Sequence, residues 1–376
     1  MTQLKLGFIG GGLNSAVGAA HFTAVSMDSR FRVEAGCFSR HEAINNRTAE
    51  QWNVAAQRVY PSWQSMLAGE VGRLDAVVVL TPTPEHKAPV IAALTHGFPV
   101  ICEKALASTS DEARAIDKVV RDVAGYLSVT YNYTGYPMVR ELKEMIRQGK
   151  LGRIEQIHIE MPQEGFARLN REGKPMVPQQ WRLKDGVIPT ISLDLGVHVL
   201  HMIDFLTGEK AIEVVATQSR QGRFTQVVDN TMAIIRYTND IECGVWFSKA
   251  ALGHRNGLRV RVYGAEGSVE WFQMDPEVLI YSDNRGCRHH IDRGHNDLLL
   301  AHESRYNRFK SGHPSGFLEA FANLYADIGD DLMHRKSGSE RGCGYTFTAQ
   351  EAMEGLRILE AMTISAHERR WVEIGG

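Results

Sequence analysis

The chain has 376 residues, enough for two domains whose cores need neither disulfides nor a structural metal to fold. Lysine and arginine total 42 against 44 aspartates and glutamates, and this near-neutral balance argues against a dedicated nucleic-acid binder. No apolar run approaches the roughly 18 residues of a transmembrane helix, and the first residues read as a strand rather than a secretory signal, so we expect no membrane partner.

The first third of the chain alternates strands with helices, which predicts a parallel sheet with helices on its faces. Strands are predicted at 4–9, 33–38, 75–80, 100–102 and 127–130, and helices at 85–96 and 110–123. Ser110 is the predicted N-cap of the second helix. The segment 75–80 is nearly all apolar and mostly β-branched, as expected of a central strand buried on both sides.

Beyond residue 132, strands follow one another with few helices. Strands are predicted at 154–160, 213–219, 231–237, 241–247, 259–263 and 268–271, and helices at 137–149, 190–206, 316–333 and 349–367. Turn residues between neighbouring strands indicate antiparallel hairpins. We therefore predict one domain at 1–132 and a second at 133–376.

A glycine-rich loop follows the first strand directly. Gly10, Gly11 and Gly12 end that strand and Gly18 begins a helix, an arrangement that lets backbone N–H groups approach a pyrophosphate. The literal G-x-G-x-x-G pattern is not met, because Ser15 stands where its third glycine belongs. A plain chain reversal without nucleotide binding is the alternative interpretation.

The end of the second strand bears on the choice of cofactor. It carries no acid to hold the ribose 2′-hydroxyl of NAD, and Ser39 and Arg40 there favour the 2′-phosphate of NADP. An equally good interpretation makes Arg40 a surface residue that stacks on adenine without touching phosphate.

Four ordered blocks resemble the Gfo/Idh/MocA family of NAD(P)-dependent oxidoreductases over essentially the whole chain. They are Gly-Ala-Ala-His at 18–21, Thr-Pro-Thr-Pro-Glu-His at 81–86, Glu-Lys-Ala-Leu-Ala at 103–107 and Asp-Leu-Gly-Val-His at 194–198. The resemblance implies an α/β fold. Its N-terminal part is a Rossmann domain that binds NAD(P)(H), and its C-terminal part is an α/β domain with a large open-faced, mostly antiparallel sheet.

Two departures from the family pattern carry expectations of their own. Where the family has Glu-Lys-Pro, this chain has Ala105 after Lys104; a cis Lys-Ala bond costs about 2.5–4 kcal/mol, so we expect a trans peptide there or appreciable local strain. The glycine loop is longer than usual, and we expect Asn14 or Ser15 to add side-chain donors to the pyrophosphate.

The resemblance also assigns catalytic roles. Lys104 follows a parallel strand, at whose carboxyl end its ammonium would hold the reacting oxygen. His198 is the implied proton acceptor, since an imidazole ordinarily titrates at about pH 6.5. Asp194, four residues earlier on a helix, shares its face and would orient the histidine or hold a substrate hydroxyl. The alternatives are a surface Glu103–Lys104 pair and a metal site on Asp194, His198, His201 and Asp204; we expect no metal.

The remaining implied contacts surround the same cleft. The predicted cofactor-binding residues are Gly10, Gly12, Leu13, Asn14, Ser39, Arg40, Thr81, Pro82, His86, Glu103, Lys104, Asn132, Trp181 and Arg182. The predicted substrate-binding residues are Lys104, Tyr133, Asp194 and His198. For Trp181 and Arg182, a core tryptophan beside a surface arginine is the competing interpretation.

We therefore predict an NAD(P)-dependent oxidoreductase acting on a secondary alcohol of a sugar, glycoside or inositol. The alternatives are a non-catalytic NAD(P)-binding sensor or regulator, and a lyase or hydrolase that oxidises its substrate only transiently. The scattered cysteines, Cys37, Cys102, Cys243, Cys287 and Cys343, indicate reduced thiols in a cytoplasmic protein. Alternating apolar residues in 231–249 predict a homodimer or homotetramer formed through the open sheet face. The basic tract 285–293 is predicted to be an exposed strand rather than a nucleic-acid patch.

Overall fold

The computed structural model describes residues 3–338 and 344–375, so Cys343 lies outside the described residues. The chain forms two compact units, Met1–Gly135 with Phe317–Met353, and Tyr136–Gly316 with Glu354–Gly376. The structure thus divides the chain three residues after the predicted boundary and returns Phe317–Met353 to the first unit. The predicted division of function between 1–132 and 133–376 stays a prediction.

The elements are numbered in chain order. The strands are β1 (Leu4–Gly10), β2 (Phe31–Cys37), β3 (Ala76–Leu80), β4 (Val100–Glu103), β5 (Leu127–Thr130), β6 (Ile154–Pro162), β7 (Ala211–Ser219), β8 (Asn230–Tyr237), β9 (Glu242–Ser248), β10 (Arg259–Gly264), β11 (Gly267–Phe272), β12 (Asp275–Asp283), β13 (Arg288–Asp292) and β14 (Val372–Glu373). The helices are α1 (Ala16–Met27), α2 (Glu42–Gln51), α3 (Trp63–Glu70), α4 (Lys87–Thr95), α5 (Ser110–Asp122), α6 (Pro137–Arg147), α7 (Val197–Thr207), α8 (Phe317–Ser337) and α9 (Ala349–Glu368).

The first unit contains the predicted parallel sheet, in the order β2-β1-β3-β4-β5. β3 lies at its centre, and every residue of that strand is buried. β1 pairs with β3 from Leu6 opposite Ala76, and β3 pairs with β4 through Val79 opposite Cys102. Because the strands are parallel, the segments that follow β1, β3, β4 and β5 leave the same edge of the sheet.

Helix α8 completes this unit, although it comes almost two hundred residues after the sheet. It packs against α1 and against the turn Asn132–Gly135 that follows β5. A Cβ on Gly135 would lie 2.0 Å from the Ala320 carbonyl oxygen, so only glycine lets the turn approach the helix this closely. Asn323 fixes the contact by donating from Nδ2 to the Gly135 carbonyl at 2.8 Å.

The second unit is built on the predicted open-faced sheet, in the order β13-β12-β11-β10-β6-β9-β8-β7-β14. Its pairs are antiparallel except β6 with β9, which run parallel. Helix α6 contacts β11 and β12, and α7 contacts β6. In β8 burial alternates residue by residue, which leaves Met232 55% and Ile234 41% exposed. The predicted α/β fold class is confirmed.

The structure corrects several predicted element ends. Thr109, not Ser110, caps α5, with its Oγ1 accepting from the Glu112 backbone N–H at 3.2 Å. The predicted helix 190–206 begins with a π-helical turn at Ser192–Gly196 and becomes α-helical only at Val197. β12 had no predicted counterpart, because the Asp275–Pro276 start resembles a turn. Across 3–338 and 344–375, none of the helices combines the length and apolar composition that a bilayer crossing needs.

Candidate active site

The glycine loop has the tight backbone that a nucleotide cradle requires. Gly10 and Gly11 have φ values of +81° and +76°, a region that favours glycine. A Cβ on Gly10 would lie 2.9 Å from the Leu80 backbone, and one on Gly18 would lie 1.8 Å from the Gly11 carbonyl oxygen. The loop therefore lets β1 and α1 meet closely and leaves the N-terminus of α1 facing the edge of the sheet.

One residue of the longer loop, Ser15, caps helix α1. Ser15 is the N-cap of α1, and its Oγ accepts from the Gly18 N–H at 3.2 Å, while Asn14 is exposed. Leu13 donates its backbone N–H to Thr48 Oγ1 at 3.2 Å. Ser15 thus has a structural role beside the one we expected for it at the pyrophosphate.

The end of β2 lies next to this loop. Gly12 donates its backbone N–H to the Phe38 carbonyl at 3.0 Å. Ser39 Oγ accepts from the His41 N–H at 3.1 Å, and Arg40 is exposed. The last three residues of β2, at 35–37, are buried in the sheet, and the choice of cofactor at this position stays a prediction.

His86 joins two of the segments that leave the sheet edge. Its ring is only 1% exposed, with Nε2 at 2.6 Å from the Thr81 carbonyl and Nδ1 at 2.8 Å from the Ala105 carbonyl. Burial lowers the pKa of His86, and its hydrogen bonds to the two backbone carbonyls act in the opposite direction. It braces the Thr81–Pro82 segment against the segment that carries Lys104.

We expected a trans peptide or local strain after Lys104. The bond between Lys104 and Ala105 is cis, so the first of these alternatives is wrong. The expectation used the intrinsic preference of an isolated bond and ignored the packing around it. Ala105 is 1% exposed, and its carbonyl is held by the His86 ring.

Glu103 is buried immediately before Lys104, so the alternative of a surface Glu103–Lys104 pair is wrong. Its Oε1 accepts from Thr130 Oγ1 at 2.7 Å and lies 3.3 Å from His21 Nε2. Burial acts to raise the pKa of Glu103, but hydrogen bonding to His21 and the positive charge of Lys104 outweigh it and leave that pKa lowered. His21 Nδ1 in turn lies 2.6 Å from the Tyr325 hydroxyl. The lysine therefore follows a carboxylate that is fixed by α1, β5 and α8.

Asn132 and Tyr133 follow β5 at the same edge of the sheet. They are 2% and 4% exposed, respectively. The centroids of the Tyr133 and Phe317 rings lie 6.1 Å apart. The contact with α8 holds the turn in place. Gly10, Thr81, Lys104 and Asn132 thus lie at or just beyond the carboxyl ends of neighbouring parallel strands, and their contacts with a cofactor stay a prediction.

In the second unit, Asp194 lies in the π-helical turn and His198 in the first turn of α7. A Cβ on Gly196 would lie 2.9 Å from Leu359 and 3.0 Å from Phe247, so the glycine lets this turn pack against neighbouring apolar side chains. Single π-helical turns recur at functional sites because they reorient side chains within a helix. The predicted shared face of Asp194 and His198 assumed regular α-helical spacing, which the structure replaces here with a wider turn.

Two cations hold the Asp194 carboxylate. Arg182 Nη1 and Lys249 Nζ both donate to its Oδ2. Lys249 is only 8% exposed, with Nζ 5.2 Å from the centre of the Phe166 ring. The Arg182 guanidinium lies 4.4 Å from the centre of the Trp181 ring. A core tryptophan beside a surface arginine is therefore not what the structure contains.

Lys249 is the residue that the sequence analysis missed. It follows the apolar end of β9 directly, and a lysine placed after a buried strand was the available signal. Because the carboxylate is already matched by Arg182, Lys249 adds a second positive charge to the same oxygen. Removing either cation removes one of these two hydrogen bonds to Oδ2.

His201 lies about one turn beyond His198, and its buried surroundings make it a poor proton acceptor. Burial, with the positive charge of Lys143, lowers its pKa to about 3. Its imidazole is neutral at every pH at which the fold is expected to function. His201 therefore belongs to the core of α7.

Comparison with known proteins identifies the family. Residues 4–131 match the NAD-binding Rossmann fold of the Gfo/Idh/MocA oxidoreductase family, and residues 143–374 match its C-terminal α/β domain. The chain belongs to this family. The predicted enzyme class, an NAD(P)-dependent oxidoreductase acting on CH–OH groups, is confirmed by this membership.

Relatives share the fold at modest identity. The chain is 29% identical to the uncharacterised oxidoreductase YfiI of Bacillus subtilis, covering 98% of this chain and 96% of the relative. It is 28% identical to levoglucosan dehydrogenase of Pseudarthrobacter phenanthrenivorans, covering 77% and 80%. Its structure is similar to that of an inositol dehydrogenase homologue from Azotobacter vinelandii in complex with NADH and myo-inositol. That likeness has a TM-score of 0.89 at 27% identity and covers 99% of this chain and 98% of the other.

Proposed function

We propose that the enzyme transfers hydride between a nicotinamide cofactor and a secondary alcohol or ketone of a sugar, glycoside or inositol. The observation that carries the proposal is the Asp194 carboxylate held by Arg182 and Lys249 one turn before His198 in the chain, since a fixed carboxylate and an imidazole are the groups that recognise and deprotonate a hydroxyl. The named relatives that act on levoglucosan or bind myo-inositol support a polyhydroxylated substrate.

The loop at Gly10–Gly12 fits a dinucleotide, because its positive φ values and close approach to Leu80 leave backbone N–H groups at the sheet edge. When bound, NAD(H) supplies or accepts the hydride. We assign the contacts with it to the residues predicted above, from Gly10 to Arg182. Among them, His86 also holds the segment of Thr81 and the segment after Lys104 through its two ring nitrogens.

The roles of the reacting residues follow from their chemistry. In the oxidative direction, the His198 imidazole takes the proton of the substrate hydroxyl. The Lys104 ammonium holds the same oxygen and stabilises the negative charge that develops on it. Asp194 accepts a hydrogen bond from His198 or from a neighbouring substrate hydroxyl, and Tyr133 contributes to substrate binding. Arg182 and Lys249 keep Asp194 in position for that contact.

For the cofactor, we propose NAD(H) rather than the NADP that Ser39 and Arg40 favoured. The Azotobacter homologue was solved with NADH, which supports NAD(H) and gives the preference for NADP no support. The exposed Arg40 then stacks on adenine, which was the alternative interpretation of that residue.

We also propose a cytoplasmic enzyme that forms a homodimer or homotetramer. The support for the assembly is the exposed apolar face of the second unit, where Met232 and Ile234 stand in alternation on β8. We propose that this face packs against the same face of a second copy of the chain, because a two-fold interface joins identical surface patches.

The test is turnover on a panel of polyols and keto-sugars with NAD⁺, NADP⁺ and their reduced forms, followed by the absorbance of the reduced nicotinamide. We expect turnover of at least one polyol with NAD⁺. Nucleotide binding without any turnover would favour the sensor, and product without a net absorbance change would favour transient oxidation. A clear preference for NADP⁺ would contradict the proposed NAD(H) and favour the interpretation in which Arg40 binds the 2′-phosphate.

A further inference from the structure

The hairpin of β12 and β13 brings three metal-ligating side chains together, far along the chain from the reacting residues. Tyr281 pairs with His289 and Ser282 with Arg288, and the Asp283 N–H donates to the Cys287 carbonyl at 3.1 Å. Side chains on opposed strands alternate between the two faces of a sheet. Asp283, Cys287 and His289 therefore share one face at the end of the hairpin, while Arg288 and His290 lie on the other.

The ligand atoms of these three residues are close to one another. A carboxylate oxygen of Asp283, Sγ of Cys287 and a ring nitrogen of His289 all lie within 4.8 Å of each other. In zinc sites, bond lengths of about 2.0–2.3 Å place neighbouring ligands roughly 3.5 Å apart. Side-chain rotations that move the ligand atoms by about 1 Å bring them to that spacing. Cys287 and His289 are exposed, so their side chains have room to rotate.

Two of the three ligands are already oriented. Asp283 Oδ1 accepts the backbone N–H groups of Arg285 and Cys287, both at 2.9 Å, which fixes the carboxylate over the loop. Gly286 supplies the positive φ of +87° that the loop needs. The His289 ring stacks on Tyr281, with centroids 6.0 Å apart and the planes 23° from parallel. Preorientation of this kind through outer contacts is a regular feature of metal sites.

We propose that Asp283, Cys287 and His289 bind one divalent cation of the zinc class, with a fourth position open to water. A thiolate, an imidazole and a carboxylate match Zn²⁺ and Co²⁺, whereas Mg²⁺ and Ca²⁺ prefer oxygen ligands alone. The two anionic ligands balance the charge of the ion. This site is independent of the hydride-transfer reaction proposed above.

The full chain is titrated with Co²⁺ under reducing conditions and followed by absorption. We expect one equivalent to bind, with a sulfur-to-cobalt charge-transfer band and the d–d bands of a four-coordinate ion, and Zn²⁺ to displace it. Cys287→Ser removes the charge-transfer band. Asp283→Asn keeps the acceptor of the loop but loses the charge, and weakens binding by at least the roughly tenfold that even an outer contact contributes.

The neighbouring histidines supply a matched control. His289→Ala weakens Co²⁺ binding by a similar or larger factor, whereas His290→Ala, on the opposite face of the same exposed strand, leaves it unchanged. Circular dichroism of each variant verifies that the hairpin change leaves the fold intact. A charge-transfer band that survives Cys287→Ser, equal effects of the two histidine variants, or no binding at millimolar Co²⁺ would overturn the proposal.

Discussion

Lys249 and Arg182 share one carboxylate oxygen, which makes the position of Asp194 sensitive to each of them. Loss of the Lys249 contact leaves the pull of the Arg182 guanidinium on Oδ2 unopposed by that lysine, and small displacements of a reacting group reduce rates strongly. The functional importance of a buried lysine is therefore greater than its distance from His198 in the sequence implies.

Replacement of this lysine tests that conclusion. Lys249→Met should lower kcat on the identified polyol by about 10²-fold with a smaller change in the KM for NAD⁺, because Lys249 contacts Asp194 and is not among the residues assigned to the cofactor. Lys249→Arg should restore part of the rate by returning a cation to Asp194. Lys174→Met, at an exposed lysine paired with Glu172, is the matched control and should be neutral. Equal rates for wild type and Lys249→Met would refute the clamp.

His201 gives a prediction about stability and pH. Its pKa is lowered to about 3 in the folded chain, so the unfolded chain, with an ordinary histidine pKa, binds the extra proton between roughly pH 6.5 and pH 3. Stability is therefore intact above that window and falls as the pH drops through it, with a contribution of up to about 1.4 kcal/mol per pH unit.

His201→Gln should flatten this dependence. Urea unfolding between pH 7 and pH 4.5 measures the free energy, and its slope against pH should be smaller in the variant than in the wild type. His295→Gln removes an exposed histidine and serves as the control. If both variants keep the wild-type slope, the protonation of His201 does not contribute to acid unfolding.

At the scale of elements, helix α1 depends on one glycine. A Cβ at Gly18 would lie 1.8 Å from the Gly11 carbonyl, so Gly18→Ala must displace either the helix or the loop. We expect the variant to lose NAD⁺ affinity and several degrees of melting temperature. Gly355→Ala in α9, where a Cβ meets nothing within 4 Å, should be neutral or stabilise by up to about 1 kcal/mol. Calorimetric titration with NAD⁺ and thermal melts compare the two.

The elements also show where prediction from the sequence succeeds. The run of apolar residues in β3 predicted a strand buried on both faces, and the alternation in β8 predicted a strand buried on one face. Both predictions work because the order of apolar and polar residues along a strand shows which faces are buried. Local sequence patterns could not predict the π-helical turn at Asp194, because it depends on how Gly196 packs against Leu359 and Phe247. The cis peptide and the return of α8 to the first unit likewise depend on long-range packing.

The site divides in the same way. Lys104 and His198 were proposed as site residues from short motifs, and Glu103 and Asp194 belong to the same motifs. Lys249 has no motif and reaches Asp194 only through the pairing of β9 in the sheet. Local sequence patterns do not predict ion pairs between residues this far apart in the chain.

For the whole molecule, assembly through the open sheet face makes a direct prediction. Met232→Asp places a charge on that face and should shift the protein toward monomer, as measured by light scattering with size-exclusion chromatography. Met274→Asp, at a similarly exposed methionine outside β8, is the control and should leave the mass unchanged. An unchanged mass in Met232→Asp would place the interface elsewhere.

The central claim for the molecule is that Lys104 and His198 act on one alcohol beside the nicotinamide. Lys104→Ala and His198→Ala, assayed on the identified polyol, should each retain NAD⁺ binding by calorimetry and lose about 10²–10⁴-fold in kcat. Retained cofactor binding with nearly abolished turnover in both variants is the result we predict. Near-normal rates in both would contradict the account.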